Sequence, residues 1–508
     1  MGGERMDGSL RVGHTYSSTG EYGIKEVTIL MLRGLELAKG NLVYIDHPKN
    51  GRPVVYQVTK VFPHKRVREY EEAMLREGRV ITDVEDSTLH ALAYQWGWLD
   101  NGGSLRPLRY PLVPNTPVFL AERDVIKQFT KPNGDWKILL GNDPSTDLDV
   151  ELGLYSLIRQ SCLICGAVGT GKTTTAISMI SRAVNASPPV RFLIVDKDGE
   201  YNSLREHLGP EKTLKVPWSR FLQPGSIPWE DYLGEFGWQK TWWNAKIMIH
   251  ALKILYAQAV PVTKHKLQTA VTWVKPEKLG FNKKEEEFES YRQQVINSVG
   301  NSKLIPDGTS EPIDPVELLK DTHVVIMDLS EGKDTWTQKQ LVVSQVLRKI
   351  FNEALENRKF GCIIVLEEAM YYAPQRGVFE IGDKDNRGKL LNVIKEIATN
   401  GGRNGVGLWA VTQRLSTVEK TVVTQCANNI VCHGLEDVDK NRVAEIMGKE
   451  FAELIGNLPP GEAIIKGTAL KCRFPLWVKV LPELYPSSST STAMSRFVHM
   501  ELAGRGMD

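Results

Sequence analysis

At 508 residues the chain exceeds what one hydrophobic core usually supports, so two or three domains are expected. Its 42% hydrophobic and 24% charged residues are those of an ordinary globular protein, and a net charge of +2 excludes an overall basic signature. Any nucleic-acid contact must therefore come from local patches.

The N-terminus, Met1–Leu10, is polar and glycine-rich and lacks the apolar core of a signal peptide. With no membrane-length apolar run downstream, a cytoplasmic location without membrane contact is expected; Trp242–Val262 comes nearest and is broken by Lys246, His250 and Lys253. Residues 1–127 read as a β-rich domain. Leu42–Asp46 and Val54–Val61 are alternating β-branched runs, and Asn50-Gly51 between them signals a hairpin. Val80–Ile81, Thr116–Leu120 and Lys137–Leu140 add short strand candidates, and Glu69–Arg76 reads as a charged helix. The pattern predicts a small barrel or sandwich.

From about Asp149 strands and helices alternate, the mark of a parallel sheet covered by helices. The expected strands are Ser161–Cys165, Arg191–Val195, Val324–Asp328, Cys362–Leu366, Leu408–Thr412, Asn429–Cys432 and Ala463–Lys466. The α/β core is assigned to residues 128–485. Between Tyr201 and about Thr322 the βα rhythm is suspended, so residues 203–318 read as a helical insertion. In it Trp243, Ile247, Ala251, Ile254 and Leu255 line one helix face, and Lys283–Val299 is a second, charged helix. Its tryptophans (Trp229, Trp238, Trp242, Trp243) read as insertion core rather than a base-stacking platform. Residues 486–508 read as a flexible tail.

Chemistry enters at Gly166-Ala167-Val168-Gly169-Thr170-Gly171-Lys172-Thr173, which follows an apolar strand and opens a helix at Thr174. That is a P-loop in its proper setting. Glycines let backbone N–H groups turn inward as an anion nest, and the helix adds its positive end. The pattern places ATP phosphates on the loop, Lys172 across the β- and γ-phosphates, and the Thr173 hydroxyl on Mg²⁺. Cys162 and Cys165 form a C-x-x-C on the strand feeding the loop. With no second Cys/His pair at ligand spacing, they read as buried thiols rather than a zinc or redox site.

A P-loop protein needs acids at a neighbouring strand end. Glu367-Glu368-Ala369 follows the apolar run Cys362–Leu366, at the edge where open α/β sheets bind ligands. Glu367 is expected to orient the Mg²⁺ shell through water, in place of the commoner Asp, and Glu368 to polarise the attacking water. Asp196, ending the Arg191–Val195 strand, is a further candidate for Mg²⁺ or its water. Gln413, at the tip of Leu408–Thr412, is placed to sense the γ-phosphate; capping of the strand end is the plainer alternative.

These blocks, together with Gly199-Glu200-Tyr201, Gly402-Arg403-Asn404-Gly405-Val406-Gly407 and Pro460-Gly461-Glu462-Ala463-Ile464-Ile465, resemble the HerA group of the FtsK/HerA hexameric DNA motors. The resemblance spans about Asp149 to Val480. It implies a RecA-like P-loop core, an N-terminal HAS barrel, a homo-hexameric ring, ATP-driven translocation on double-stranded DNA, and work with a NurA-like nuclease in DNA end resection. It also implies an arginine reaching the neighbouring subunit's γ-phosphate. Arg403 matches that block best, one position later than in many relatives; Arg414 is the fallback and Arg159 a weaker candidate. DNA contact is expected from Arg376, Lys384, Arg387 and Lys389, diluted by Glu380, Asp383 and Asp385. Coupling ATPases of conjugative secretion and protein-remodelling P-loop ATPases are the competing readings.

Overall fold

The computed structural model describes residues 9–16, 26–65, 87–110, 112–132, 134–221, 233, 235–258, 262–302, 305, 313–330, 336–382, 384–435, 439–472 and 474–484. The expected helix Glu69–Arg76, the strand Val80–Ile81, Trp229, Asp383 and the tail from residue 486 lie outside these residues. The chain divides into two compact units, Met1–Ser156 with Asn429–Leu481, and Leu157–Asn428 with Pro482–Asp508.

The first unit opens with a barrel. Its strands are β1 (Arg11–Tyr16), β2 (Glu26–Met31), β3 (Leu42–Asp46), β4 (Pro53–Lys65), β5 (Ser87–Leu99), β6 (Leu105–Arg106) and β7 (Pro117–Leu120). The order β2-β1-β7-β3-β4-β5 closes on itself where Glu26–Leu30 pairs antiparallel with His90–Tyr94, and β6 hangs on β5. The β3–β4 pair runs from Leu42↔Gln57 to Asp46↔Pro53, and the turn between them closes on Gly51, whose φ of 68° is left-handed. Alternating side chains fill the interior: Val12, Ile29, Val43, Ile45, Tyr56, Ala91 and Val118 are all buried. Each larger one contributes on the order of 1.5–3 kcal/mol of burial free energy, and closure leaves no open edge for aggregation.

The same unit holds β8 (Lys137–Asn142), β9 (Asp149–Gly153), β16 (Asn429–His433), β17 (Glu462–Gly467) and β18 (Leu476–Val480), joined antiparallel as β16-β17-β18-β8-β9. The Lys137–Leu140 strand expected from sequence is therefore real, but it pairs with β9 and β18 rather than with a barrel strand.

The second unit is the nucleotide-fold core: β10 (Cys162–Cys165), β11 (Phe192–Asp196), β12 (Thr213–Pro217), β13 (Val324–Asp328), β14 (Cys362–Leu366) and β15 (Val406–Thr412), all parallel in the order β12-β13-β11-β14-β15-β10. Every residue of β10, β11, β13, β14 and β15 is buried, as a parallel sheet covered on both faces requires. This is the α/β, RecA-like P-loop core with a β-barrel ahead of it. Two expectations are corrected. Asn429–Cys432 and Ala463–Lys466, expected within the parallel sheet, pair antiparallel with each other and group with the first unit. The βα rhythm does not stop at Tyr201, because Thr213–Pro217 adds an edge strand along β13. Its half-exposed Leu-Lys centre and closing proline mask it in the sequence, and an edge strand tolerates both.

The insertion proper is three packed helices, Trp243–Ala257, Lys264–Thr272 and Glu285–Asn301. Ile247, Met248, Ala251 and Leu255 meet Leu267, Val271, Phe288 and Val295 in its buried centre. Trp243 is half-buried, edge-on to Phe281 at 4.8 Å, and Trp242 is 49% exposed. Cys162 and Cys165 are fully buried, and burial raises the Cys162 thiol well above its ordinary range, so they are packing groups.

Candidate active site

The register of the parallel sheet assembles the site. Cys165 lies opposite Thr412, Val195 opposite Leu366, and Leu366 opposite Ala410. The residues that follow each strand therefore emerge side by side at the C-terminal edge.

Between β10 and the helix Lys172–Val184, the loop turns through left-handed Gly169 (φ 77°) and Gly171 (φ 111°). A side chain at either position would be strained, and Gly169 has nothing within 4 Å of where a Cβ would stand, leaving the loop's concave side open. Thr170 Oγ1 and Lys172 Nζ both donate to the Ala167 carbonyl, at 2.8 and 3.0 Å. Lys172 is only 6% exposed, and Val168 at the loop's tip is 76% exposed.

Across from the loop, Thr173 Oγ1 faces Glu367 Oε1 at 3.4 Å. The other Glu367 oxygen accepts a short hydrogen bond from the Tyr201 hydroxyl. Burial pushes the Glu367 carboxyl up to about 8, with Glu368, Glu200 and Asp196 adding to the rise. Glu368 sits in the left-handed region at φ 54°, a conformation costing of order 1–3 kcal/mol for a residue with a side chain. Its Oε1 accepts from Gln413 Nε2, and its Oε2 is buried without a hydrogen-bond partner among the described residues. Burial raises the Glu368 carboxyl, while the Lys172 charge and the Gln413 bonds pull the other way.

Asp196 is bonded to the turn that follows it. Oδ1 accepts from the Gly199 and Glu200 N–H groups at 2.9 and 3.2 Å, and Oδ2 from Tyr201 N–H at 3.1 Å. The carboxylate thus folds the turn carrying Tyr201, and burial raises it to about 6. Lys197 was not anticipated from sequence. Asp198, at 2.6 Å, raises its ammonium against the cost of burial; the ammonium lies 4.6 Å from the Tyr371 ring centre. A lysine between two acids just past a strand end is the signal that could have found it.

The Thr173 hydroxyl facing the Glu367 carboxylate forms a hard-oxygen pair that fits Mg²⁺. No three His, Cys, Asp or Glu side chains gather into a cage among the described residues, and a P-loop metal, completed by water and phosphate oxygens, needs none.

Arg403 lies elsewhere. It is exposed on the 3₁₀ turn Gly401–Asn404, which precedes β15, whereas Gln413 follows that strand. Seven residues of strand separate the two ends by about 23 Å. A Cβ on Gly402 would stand 1.8 Å from the Arg159 carbonyl oxygen, so the turn bearing Arg403 is pressed onto the backbone just before β10, and Arg159 shares that edge. Gly402→Ala is expected to lower stability by about 2 kcal/mol or more, because both clashing partners are backbone; an unchanged denaturant midpoint would refute that packing. Arg414 is exposed at the nucleotide edge, next to Gln413.

Of the proposed DNA contacts, Arg376, Lys384 and Lys389 are exposed, and Arg387 pairs with Glu380 at 3.0 Å with its side chain only 15% exposed. The loop carrying Arg376 is tied to the segment after Gln413. Gln375 N–H donates to the Thr417 carbonyl at 2.7 Å, and Glu419 N–H to that of Ala373 at 2.9 Å. Gln340 Nε2 pins the loop's ends through the carbonyls of Tyr371 and Ile381.

Residues 138–350 match the family described as "Helicase HerA, central domain". A DNA double-strand break repair helicase HerA of Sulfurisphaera tokodaii is 24% identical over 413 residues, covering 74% of this chain and 75% of that protein. The chain is similar to the HerA helicases across this region. A probable helicase of Methanocaldococcus jannaschii aligns with this chain over 94% of the chain's length and 91% of its own, at 23% identity. Among solved structures, VirB4 of Thermoanaerobacter pseudethanolicus is similar over 69% of the chain and 97% of its own, with a TM-score of 0.47 at 14% identity. No described helix is long and apolar enough to cross a membrane.

Proposed function

We propose that this chain is a HerA-family, ATP-hydrolysing motor that translocates on double-stranded DNA as a homo-hexameric ring, serving DNA end resection and repair with a partner nuclease of the NurA kind. The observation that carries the reading is the convergence of Lys172, Thr173, Glu367, Glu368 and Gln413 from three strand ends at one P-loop. The relatives named DNA double-strand break repair helicases supply the DNA.

ATP is held by the N–H groups of Gly166–Thr174, with Lys172 leaving the Ala167 carbonyl for the β- and γ-phosphates. Thr173 and Glu367 would hold Mg²⁺, which supplies positive charge to the phosphate oxygens, and Asp196 supports them by shaping the Tyr201 turn. Glu368 accepts the proton of the attacking water at its buried oxygen without a hydrogen-bond partner among the described residues. Gln413 shares Glu368 with the site, so reaching for a γ-phosphate changes the base's restraint. The backbone bonds between its loop and the Arg376 loop carry that change outward. Arg376, Lys384, Arg387 and Lys389 meet DNA phosphates without reading sequence. Arg403 acts in trans: standing at the far edge of its own sheet, it serves a neighbour's nucleotide rather than its own.

The test is steady-state ATP hydrolysis with and without linear duplex DNA at two salt concentrations. Stimulation by DNA that fades between about 50 and 200 mM salt is expected from the counterions released by phosphate contacts. DNA-independent turnover at both salts would sink the DNA motor and favour a protein-directed ATPase.

A further inference from the structure

We propose that Tyr201 sets which metal the site accepts, by occupying one oxygen of Glu367 so that only the other can enter a metal's coordination shell. The inference rests on the nucleotide-site reading above and assigns a part within it to a residue that touches neither phosphate nor metal. Tyr201 is a positioning residue.

Three contacts define its place. The ring is fully buried. The backbone N–H is held by Asp196 Oδ2 at 3.1 Å, which fixes where the ring begins. The hydroxyl, at the other end, donates to Glu367 Oε2 across 166 residues of sequence. A rigid aromatic ring clamped at both ends leaves Glu367 little freedom to rotate, and Oε1 stays on the Thr173 hydroxyl at 3.4 Å.

The consequence follows from the coordination habits of the two common hard cations. Mg²⁺ demands near-octahedral geometry, keeps several waters and takes single carboxylate oxygens, whereas the larger Ca²⁺ readily accepts both oxygens of one carboxylate. With Oε2 held by Tyr201, two-oxygen ligation is closed and the one-oxygen mode suited to Mg²⁺ remains. Phenylalanine at this position would fill the same volume and release Oε2.

The experiment is binding of a fluorescent ATP analogue to the full chain, titrated separately with Mg²⁺ and Ca²⁺ and read without turnover. For Tyr201→Phe the half-saturating Mg²⁺ concentration should rise about tenfold, the usual scale for losing a partner of a metal ligand. The Ca²⁺ requirement should rise less or fall, so that the preference for Mg²⁺ shrinks, and metal-free nucleotide affinity should stay within about twofold of the parent. On a Glu367→Ala background the same change should add nothing, because the two effects run through one contact.

An unchanged metal preference, or a metal-free affinity lost by the same factor as the metal-bound one, would overturn the inference and leave Tyr201 a packing residue. A further loss on the Glu367→Ala background would also overturn it. A parent chain that binds no nucleotide at any metal concentration would sink the nucleotide-site reading, and this inference with it. A parent that binds, with a variant that keeps its metal preference, sinks the inference alone.

Discussion

Glu368→Gln should bind ATP about as tightly as the parent chain and hydrolyse it about 10²–10⁴-fold more slowly, the range a positioned general base contributes. Glu368 combines three properties of a base held ready. Its backbone is left-handed at φ 54°, its Oε2 is buried and without a hydrogen-bond partner among the described residues, and burial raises its carboxyl. Glutamine keeps the shape and the Gln413 contact but cannot take a proton. Lys172→Ala should fail differently. The ammonium, buried and parked on the Ala167 carbonyl, is the one cation the P-loop itself offers to phosphate. Its removal should abolish binding as well as turnover. Equilibrium binding of a fluorescent nucleotide alongside phosphate release separates the two. Equal loss of binding in both variants would refute the division of roles between loop and strand end.

Arg403→Ala should cost about 10³-fold or more in turnover in the assembled ring, on the scale of arginine fingers, with nucleotide binding kept. The geometry makes this more specific than the sequence could. Arg403 stands before β15 and the nucleotide edge lies after it, about 23 Å away along seven residues of strand. Contact with its own chain's γ-phosphate is closed, so any catalytic part must be played on a neighbour. Mixing Arg403→Ala with Lys172→Ala chains should therefore restore activity. One interface type joins an intact Lys172 to an intact Arg403, and random mixing at equal ratio makes about a quarter of interfaces of that type. No rescue at any ratio would end the case for Arg403 and move it to Arg414, which is exposed at the nucleotide edge.

The two arginines show where a linear reading stops. Arg403 and Arg414 are both exposed cations in polar turns, eleven residues apart, and nothing local distinguishes them. The strand between them puts them at opposite edges of the sheet. The double glycine before Arg403 likewise looks like loop flexibility in sequence. In the fold it is close contact, because the backbone of Arg159 fills the space where a Cβ on Gly402 would sit.

Sequence by itself determined the P-loop, the acidic pair and most of the core strands. Cys362–Leu366 begins and ends where its apolar run does, because a strand covered on both faces is apolar along its length. The P-loop was legible for the same local reason: its chemistry needs glycines, a lysine and a hydroxyl within eight consecutive residues. Tertiary structure alone decided the rest. Barrel closure depends on β2 meeting β5, a pairing between strands far apart in the chain. The edge strand β12 exists because β13 offers it a partner, and residues 429–481 fold in one unit with residues 1–156. Tyr201 became the partner of Glu367 only when distant strand ends were brought into register. Periodicity reports which face of an element is buried; which element buries it is decided by pairings between distant parts of the chain, and a local pattern carries no record of those.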